Sequence, residues 1–354
     1  MQLAQVEDTG RFTDPQLAAE SAGLRYISAD SGGIARRRVG TGFSYANGGG
    51  VRISDKATLA RIRALAIPPA WTAVWICPQA NGHIQATGID AKGRKQYRYN
   101  DEFRALRETA KFEHILIFAQ VLPRIRDTVA KDMARHGLPR EKVLATIVHL
   151  LETTLVRVGN KDYAKTNGSY GLTTLREPHV EVAGGTLRFH FKGKSGKTWN
   201  LKVQDRRVAK VVRACQDLPG QQLFQYLDAD GKRQGVDSAD VNAYLKEITG
   251  REITAKDFRT WFGTVAAALA LHTRGGCDTV TAAKKTVREV VAEVSGRLGN
   301  TPTICRKCYI HPQVLAAYAD RELVLRIRQA AGDDTAKLSP EEAAVYRFLV
   351  GRLN

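Results

Sequence analysis

The chain has 354 residues, enough for two domains each with its own core, and carries 54 Lys and Arg against 36 Asp and Glu, a formal net charge of +18. Like charges in such excess repel and weaken a compact state, so the balance points to a polyanionic partner, and nucleic acid suits it better than a membrane because no lipid-anchoring helix is visible. There is no run of about 18 apolar residues; the opening MQLAQVEDTGRFTDPQ has no signal-peptide pattern, and five scattered cysteines suit reduced thiols in a cytosol. The expected location is therefore cytoplasmic.

In chain order, residues 1–22 are small, polar and aperiodic, which predicts a flexible lead-in. Residues 23–100 are expected to form a small β-rich domain. LRYIS from Leu24 and IARRRVGTGFSYANGGGVRIS read as strands, with loops at Ser31–Gly33 and Asn47–Gly50. Asp55 is placed to cap a short helix with Leu59 and Ile62 on one face, stopped by Pro68-Pro69. WTAVWICP alternates apolar residues at Trp71, Ala73 and Trp75. HIQATGIDAKGRKQYRYN then crosses an AKGRK turn into a strand with Tyr97 and Tyr99 on one face.

The texture changes at Asp101, and residues 101–354 are expected to form a larger, mainly helical domain. Its first helix is interrupted near Pro123, and Gly137-Leu138-Pro139 separates it from REKVLATIVHLLETTLVR. A polar loop, NKDYAKTNGSYG, follows Gly159. LTTLREPHVEVAG and TLRFHFKGKSGKTWNLKV read as strands, the latter a hairpin with Gly193 and Gly196 in its turn. From Arg206 onward the pattern is helical, down to a tail whose Ser339 and Glu342 form a capping box. Within that part, SGRLGNTPTICRKCYIHP (295–312) ends an amphipathic run and breaks at Gly299-Asn300, where Asn300 caps or hydrogen-bonds. It restarts with Pro302 in a first turn, two turns before Tyr309. The fold class is α+β, a β-rich N-terminal domain and a helical domain with a small inserted sheet.

Several motifs are absent or misleading. GKSGKT in the hairpin lacks the first glycine of a phosphate loop, Phe191 standing there, and does not lead from a strand into a helix. Cys305-x-x-Cys308 has metal-ligand spacing but no second pair, so two reduced helix cysteines are the default. No HExxH, dinucleotide glycine fingerprint or paired-magnesium acidic cluster is present, and neither metal nor cofactor is expected.

Tyr309 is flanked by Arg306 and Lys307, and nearby cations favour the phenolate form, which is a good nucleophile. Attack by a tyrosine on a DNA phosphodiester without a metal would need planar cations on the non-bridging oxygens and a proton for the leaving 5′-oxygen. Arg157, at the end of a helix, Lys194, in the hairpin turn, and Arg259, near a helix N-terminus that itself attracts phosphate, are candidates. Each also has a plainer reading. Arg157 can be a helix-terminal charge, Lys194 a solvated turn residue confusable with Lys192 or Lys197, Arg259 a partner of Asp257 or Glu252, and Asn300 only a cap.

The ordered set Arg-x-Gly, Phe-x-Gly-Lys in a hairpin, Lys-Asp-Phe-Arg-Thr, then Gly-Asn-Thr-Pro-Thr with Asn300 nine residues before Tyr309, resembles the type IB DNA topoisomerases of the compact poxvirus and bacterial branch. The likeness runs over nearly the whole chain from about Leu24, including IPPAWTAVWICP and KGRKQYRY. It implies the catalytic fold shared with tyrosine recombinases, Tyr309 as nucleophile forming a 3′-phosphotyrosine, Arg157 and Arg259 as phosphate clamps and Lys194 as general acid. It further implies Asn300 as a donor to a phosphate oxygen and Lys256 as a helper near the leaving group. Poxvirus members have His at the Asn300 position, and an amide donates without titrating. DNA contacts are implied at Gln96, Tyr97, Tyr99 and Tyr163, with Asp162 standing where the viral enzyme has Lys. The alternative for Tyr97 and Tyr99 is a place in the strand's core. The implied partner is double-stranded DNA, clamped by a monomer.

Two other functions fit parts of the pattern. A tyrosine recombinase uses the same nucleophile and clamp, but usually has His where Lys256 stands and an all-helical N-terminal domain. A catalytically silent DNA-binding protein would need no such set of side chains.

Overall fold

The computed structural model describes residues 14–327 and 338–353. The chain mixes helices with small antiparallel sheets and divides into two compact units, Met1–His114 and Ile115–Asn354.

The first unit begins with α1 (Pro15–Ser21), where Asp14 accepts hydrogen bonds from the amides of Gln16 and Leu17 and Pro15 fills the first turn. Ala18 and Ala19 are buried with Leu24 and Phe103. The flexible lead-in expected over 1–22 is thus corrected from Pro15 on, because a good cap and a small apolar pair order it; residues 1–13 lie outside those described. LRYIS contributes one bridge, Arg25 to Gly82, rather than a strand. The sheet is built from β1 (Ile34–Val39), β2 (Gly42–Ala46), β3 (Thr72–Ile76), β4 (Ile84–Ile89) and β5 (Lys95–Tyr99), in the order β2-β1-β3-β4-β5. Between β2 and β3 comes α2 (Lys56–Ala64), capped by Asp55 accepting from Thr58 N at 2.7 Å.

Ile62 of α2 packs with Ile34, Val74, Ile76 and Ala86. The buried parity of β3 is therefore Val74 and Ile76, not the Trp71, Ala73, Trp75 set. Ala73 is left-handed (φ 47°) and the register slips between Thr72 and Trp75, a bulge that re-aims the strand. On the edge strand β5, Lys95, Tyr97 and Tyr99 face solvent while Gln96 and Arg98 are half-buried.

Helix α3 (Asp101–Met133) contains Pro123 and is not interrupted by it. Proline removes one helical hydrogen bond and crowds the carbonyl four residues back. Phe118, Ala119, Leu122 and Ile125, all fully buried, hold the helix through that defect.

The second unit continues with α4 (Arg140–Thr154), α5 (Lys161–Asn167), β6 (Val180–Ala183), β7 (Thr186–Lys192), β8 (Thr198–Gln204), α6 (Arg206–Gln216), β9 (Gln225–Leu227) and β10 (Arg233–Gly235). Then follow α7 (Ser238–Thr249), α8 (Ala255–Arg274), α9 (Val280–Leu298), α10 (Pro302–Cys308), α11 (Pro312–Ala319) and α12 (Pro340–Leu353). β6, β7 and β8 form the inserted antiparallel sheet. Where a polar loop was expected stands α5, capped by Asn160 and ended by left-handed Gly168; it buries no residue, so no apolar period betrays it. The β9–β10 hairpin interrupts the helical reading after Arg206, in strands too short to show alternation.

The core of this unit is built on α8, whose Phe258 meets Phe118 edge-on at 4.8 Å beside fully buried Trp261. Burying each such aromatic side chain is worth about 1.5–3 kcal/mol. Arg126 of α3 binds Glu152 of α4 at 2.7 Å and Glu342 of α12 at 2.8 Å. Burial opposes its charge, and the two carboxylates outweigh it, so the guanidinium is held above its usual range. Glu342 also closes the expected capping box with Ser339, at 2.9 and 3.2 Å.

Candidate active site

Helix α4 ends at Thr154, and Leu155 closes it in the left-handed region (φ 57°) by donating to Leu151 O at 3.0 Å. Arg157 therefore lies past the helix end, not on it. Its segment is fixed by Leu172 N donating to its carbonyl at 2.9 Å and Thr173 N to that of Val158 at 2.6 Å. From there the guanidinium reaches Gly299 O at 3.4 Å and Asn300 Oδ1.

Arg259 sits one turn into α8 and is 3% exposed. Its Nη atoms donate to Leu155 O and, at 2.6 Å, to Leu298 O, and its Cζ stands 5.1 Å from the centre of the Tyr309 ring. The acids suggested as partners are taken up elsewhere. Asp257 accepts from Thr254 N and Oγ1 at 2.8 and 2.9 Å, and Glu252 pairs with Lys246. Burial, and then the neighbouring Arg157 charge, push the Arg259 guanidinium down to about 10, against the pull of Tyr309. It stays cationic at neutral pH. Among the described residues its Nε is buried without a hydrogen-bond partner, and so is Asn300 Nδ2, the donor end of the amide that Arg157 holds.

Thr301, not Asn300, caps α10, accepting from Ile304 N at 3.4 Å, with Pro302 in the first turn. Tyr309 is the residue that ends this helix, its N–H donating to Cys305 O at 2.9 Å. Its carbonyl lies against α8 so closely that a Cβ on Gly263 would fall 2.5 Å away. Thr264 Oγ1 donates to Thr260 O at 2.8 Å, lies 3.5 Å from the same Tyr309 carbonyl, and accepts from His311 N at 3.0 Å. Arg157, Arg259, Asn300 and Tyr309 are thereby brought into one cluster. Cys305 packs beside it, burial pushing its thiol up to about 11, while Cys308 is half-buried. No group of three or more His, Cys, Asp or Glu able to hold a metal occurs among the described residues.

Lys194 stands exposed at the tip of the β7–β8 hairpin, its Nζ 5.6 Å above the ring of Tyr163 on α5. Among the described residues it makes no hydrogen bond to the other four candidates. Of the lysines open to confusion with it, Lys197 is committed to Gly296 O at 2.7 Å, and Lys192 ends β7 with its carbonyl accepting from Tyr170 N at 2.8 Å. Lys256 is exposed in the first turn of α8.

In the first unit, Tyr97 and Tyr99 are 47% and 43% exposed, so they are not core residues. Their rings stack at 6.0 Å and 13°, and Tyr99 leans on Phe103 at 5.6 Å. Gln96 donates to Asp90 Oδ2 at 2.9 Å, and the Arg94 guanidinium and amide on the same carboxylate hold it down at about 2.

Sequence reasoning missed Gly263, Thr264 and the carbonyls of Leu155 and Leu298, which seat Arg259 and Tyr309. The Gly263-Thr264 pair within the apolar run of α8 was the available sign, since both lower helix propensity.

Residues 100–331 match the protein family described as "Eukaryotic DNA topoisomerase I, catalytic core", and residues 42–90 match "Bacterial DNA topoisomerase IB, N-terminal domain". The chain is 33% identical over 297 residues to the DNA topoisomerase 1B of Acanthamoeba polyphaga mimivirus, covering 81% of this chain and 87% of the viral one. The chain belongs to the type IB DNA topoisomerase family. Other similar proteins are the DNA topoisomerase 1B of vaccinia virus (strain Copenhagen), 22% identical over 70% of this chain and 76% of its own, and the DNA topoisomerase 1 of rabbit fibroma virus, 25% identical over 73% and 80%. Arg157, Lys194, Arg259, Asn300 and Tyr309 all fall within the stretch matched to the topoisomerase catalytic core, and among the described residues no helix is long and apolar enough to cross a membrane.

Proposed function

We propose that the chain relaxes positive and negative DNA supercoils by cutting one strand through a 3′-phosphotyrosine on Tyr309, letting the cut strand swivel, and resealing it. The observation that carries this reading is the cluster around Arg259. The Arg259 guanidinium stands over the Tyr309 ring and close enough to Arg157 to feel its charge, Arg259 donates to carbonyls, and among the described residues two buried donors, Arg259 Nε and Asn300 Nδ2, are left without partners. Unpartnered buried donors and neighbouring cations are costly unless an anion completes them, and a phosphate does so.

In the reaction, Tyr309 Oη attacks phosphorus as the bond from phosphorus to the 5′-oxygen breaks. Arg157, Arg259 and Asn300 take the charge growing on the non-bridging oxygens. Lys194 hands a proton to the departing 5′-oxygen, with Lys256 assisting, and the reverse step regenerates Tyr309. One phosphoester replaces another of similar energy, so the cycle needs no ATP, and the guanidinium groups do the neutralising that a metal would otherwise supply. Gln96, Tyr97, Tyr99 and Tyr163 contact the DNA, the two units act as a clamp formed by a monomer on the nucleoid, and the helical unit has the catalytic fold shared with tyrosine recombinases.

Supercoiled plasmid incubated with the protein in EDTA without ATP is expected to relax completely. A nicked suicide duplex should leave DNA covalently attached to the wild-type chain on a denaturing gel and none to Tyr309→Phe, which should still bind DNA. An unrelaxed plasmid, or an adduct surviving in Tyr309→Phe, would overturn the assignment.

A further inference from the structure

We infer that Trp199, assisted by Lys197, is a positioning residue that sets Lys194 in register with Asn300. The inference rests on the general-acid reading of Lys194 and extends it to side chains outside the reacting set. Lys194 is exposed and, among the described residues, makes no hydrogen bond of its own. Its place is therefore fixed by the backbone of the hairpin tip. That tip is closed by Gly193 N donating to Lys197 O at 2.7 Å, with Ser195 and Gly196 both left-handed, and stands beyond the paired strands.

Trp199, the second residue of β8, pairs with Phe191 across the ladder, stacks on its ring at 6.4 Å, and is 7% exposed. A Cβ built on Gly193 would fall 2.6 Å from the Trp199 Nε1, and one built on Gly299 would fall 2.6 Å from its Cζ2. One rigid indole is thus held between the two glycines that immediately precede Lys194 and Asn300. Lys197 fastens the same contact, its Nζ donating to Gly296 O at 2.7 Å and lying 5.0 Å over the Trp199 ring. An aromatic plate with two rotatable bonds, wedged between two backbones, leaves the hairpin little room to slide against the Gly299–Asn300 break. A proton donor must be placed within hydrogen-bond reach of the leaving oxygen to act at all.

The test uses the full chain on a suicide duplex in single-turnover cleavage, with an ordinary phosphodiester and with sulfur replacing the bridging 5′-oxygen. In the sulfur substrate the Tyr309–phosphorus bond forms as the phosphorus–sulfur bond breaks, and the thiolate leaves without needing a proton. Trp199→Ala and Lys197→Met are expected to slow the ordinary cleavage, Trp199→Ala by about 10²-fold, and both should recover most of the wild-type rate on the sulfur substrate, as should Lys194→Ala. Trp199→Phe, which keeps a plate in the gap, should lie between Trp199→Ala and wild type on the ordinary substrate. This series decides the matter even if Trp199→Ala fails to fold. Equal slowing on both substrates, or no slowing on either, overturns the clasp. If Lys194→Ala is rescued by sulfur while Trp199→Phe and Lys197→Met are not, the clasp alone falls. If Lys194→Ala itself is not rescued, the general-acid reading falls and the inference falls with it.

Discussion

Arg259 is 3% exposed and is held by main-chain carbonyls, whereas Tyr97 and Tyr99, on an edge strand, are nearly half exposed and rest on each other's rings. The first arrangement fixes a charge in advance, in a place where every displacement leaves a buried donor worse off. The second leaves amphipathic surface available at low cost, since an exposed tyrosine gives up little on contact and two stacked rings have little freedom to lose. Phosphate chemistry demands the former, because charge must meet its partners at fixed distances. Holding DNA needs only the latter, spread over many weak contacts whose strength follows salt.

Six substitutions press on that contrast, beginning with the largest expected effect. Arg259→Ala should lower the single-turnover cleavage rate by about 10²–10³-fold with little change in DNA affinity. Arg259→Lys should not restore it, because an ammonium cannot serve both carbonyls and the phosphate at once. A rate within a few-fold of wild type would mean that the buried cation is structural. Gly263→Ala forces a methyl to 2.5 Å from the Tyr309 carbonyl. It should lower stability by about 1–3 kcal/mol, read by chemical denaturation, and slow cleavage on folded protein. Tyr97→Ala and Tyr99→Ala should each weaken DNA binding by about 1–3 kcal/mol while sparing cleavage at saturating DNA; a cleavage defect at saturation would erase the contrast between the two regions. The smallest effect is that of pH on the β4–β5 turn. The Asp90 carboxyl is held at about 2 by Arg94, below the ordinary carboxylate value near 3.9, so its support for the turn is complete above about pH 4 and lost as pH falls through about 2. Asp90→Asn should remove that dependence, seen as amide protection in residues 90–96, taken relative to the intrinsic exchange rate at each pH, that no longer changes across the window.

Legibility in the sequence tracked how local the cause was. The Asp55 cap, the Ser339–Glu342 box and the hairpin glycines were readable because each acts within a few residues. Pro123 and the buried face of β3 were misread because tertiary packing and a bulge decide them. At the site, residue types and their order were visible, and so was Tyr309. What stayed hidden was that Arg157 lies beyond its helix, that Thr301 does the capping attributed to Asn300, and that Arg259 bonds carbonyls rather than an acid. The first two turn on a left-handed Leu155 and a Thr301 side chain that the apolar pattern does not mark, whereas the third needs segments 104 residues apart to meet.

The seat of Tyr309 against Gly263 and Thr264 has a mechanical consequence. On the proposed cycle the cut strand turns while its other end is tethered through this tyrosine, so torque and tension in the duplex arrive at one phenolic oxygen. A seven-residue helix such as α10 would be a poor mooring by itself. Because the nucleophile's main chain nests against the twenty-residue α8, that pull is delivered to the stiffest nearby beam, the one that also bears Arg259. Attacking oxygen and clamp would then shift together under load, keeping the geometry for resealing while the DNA unwinds.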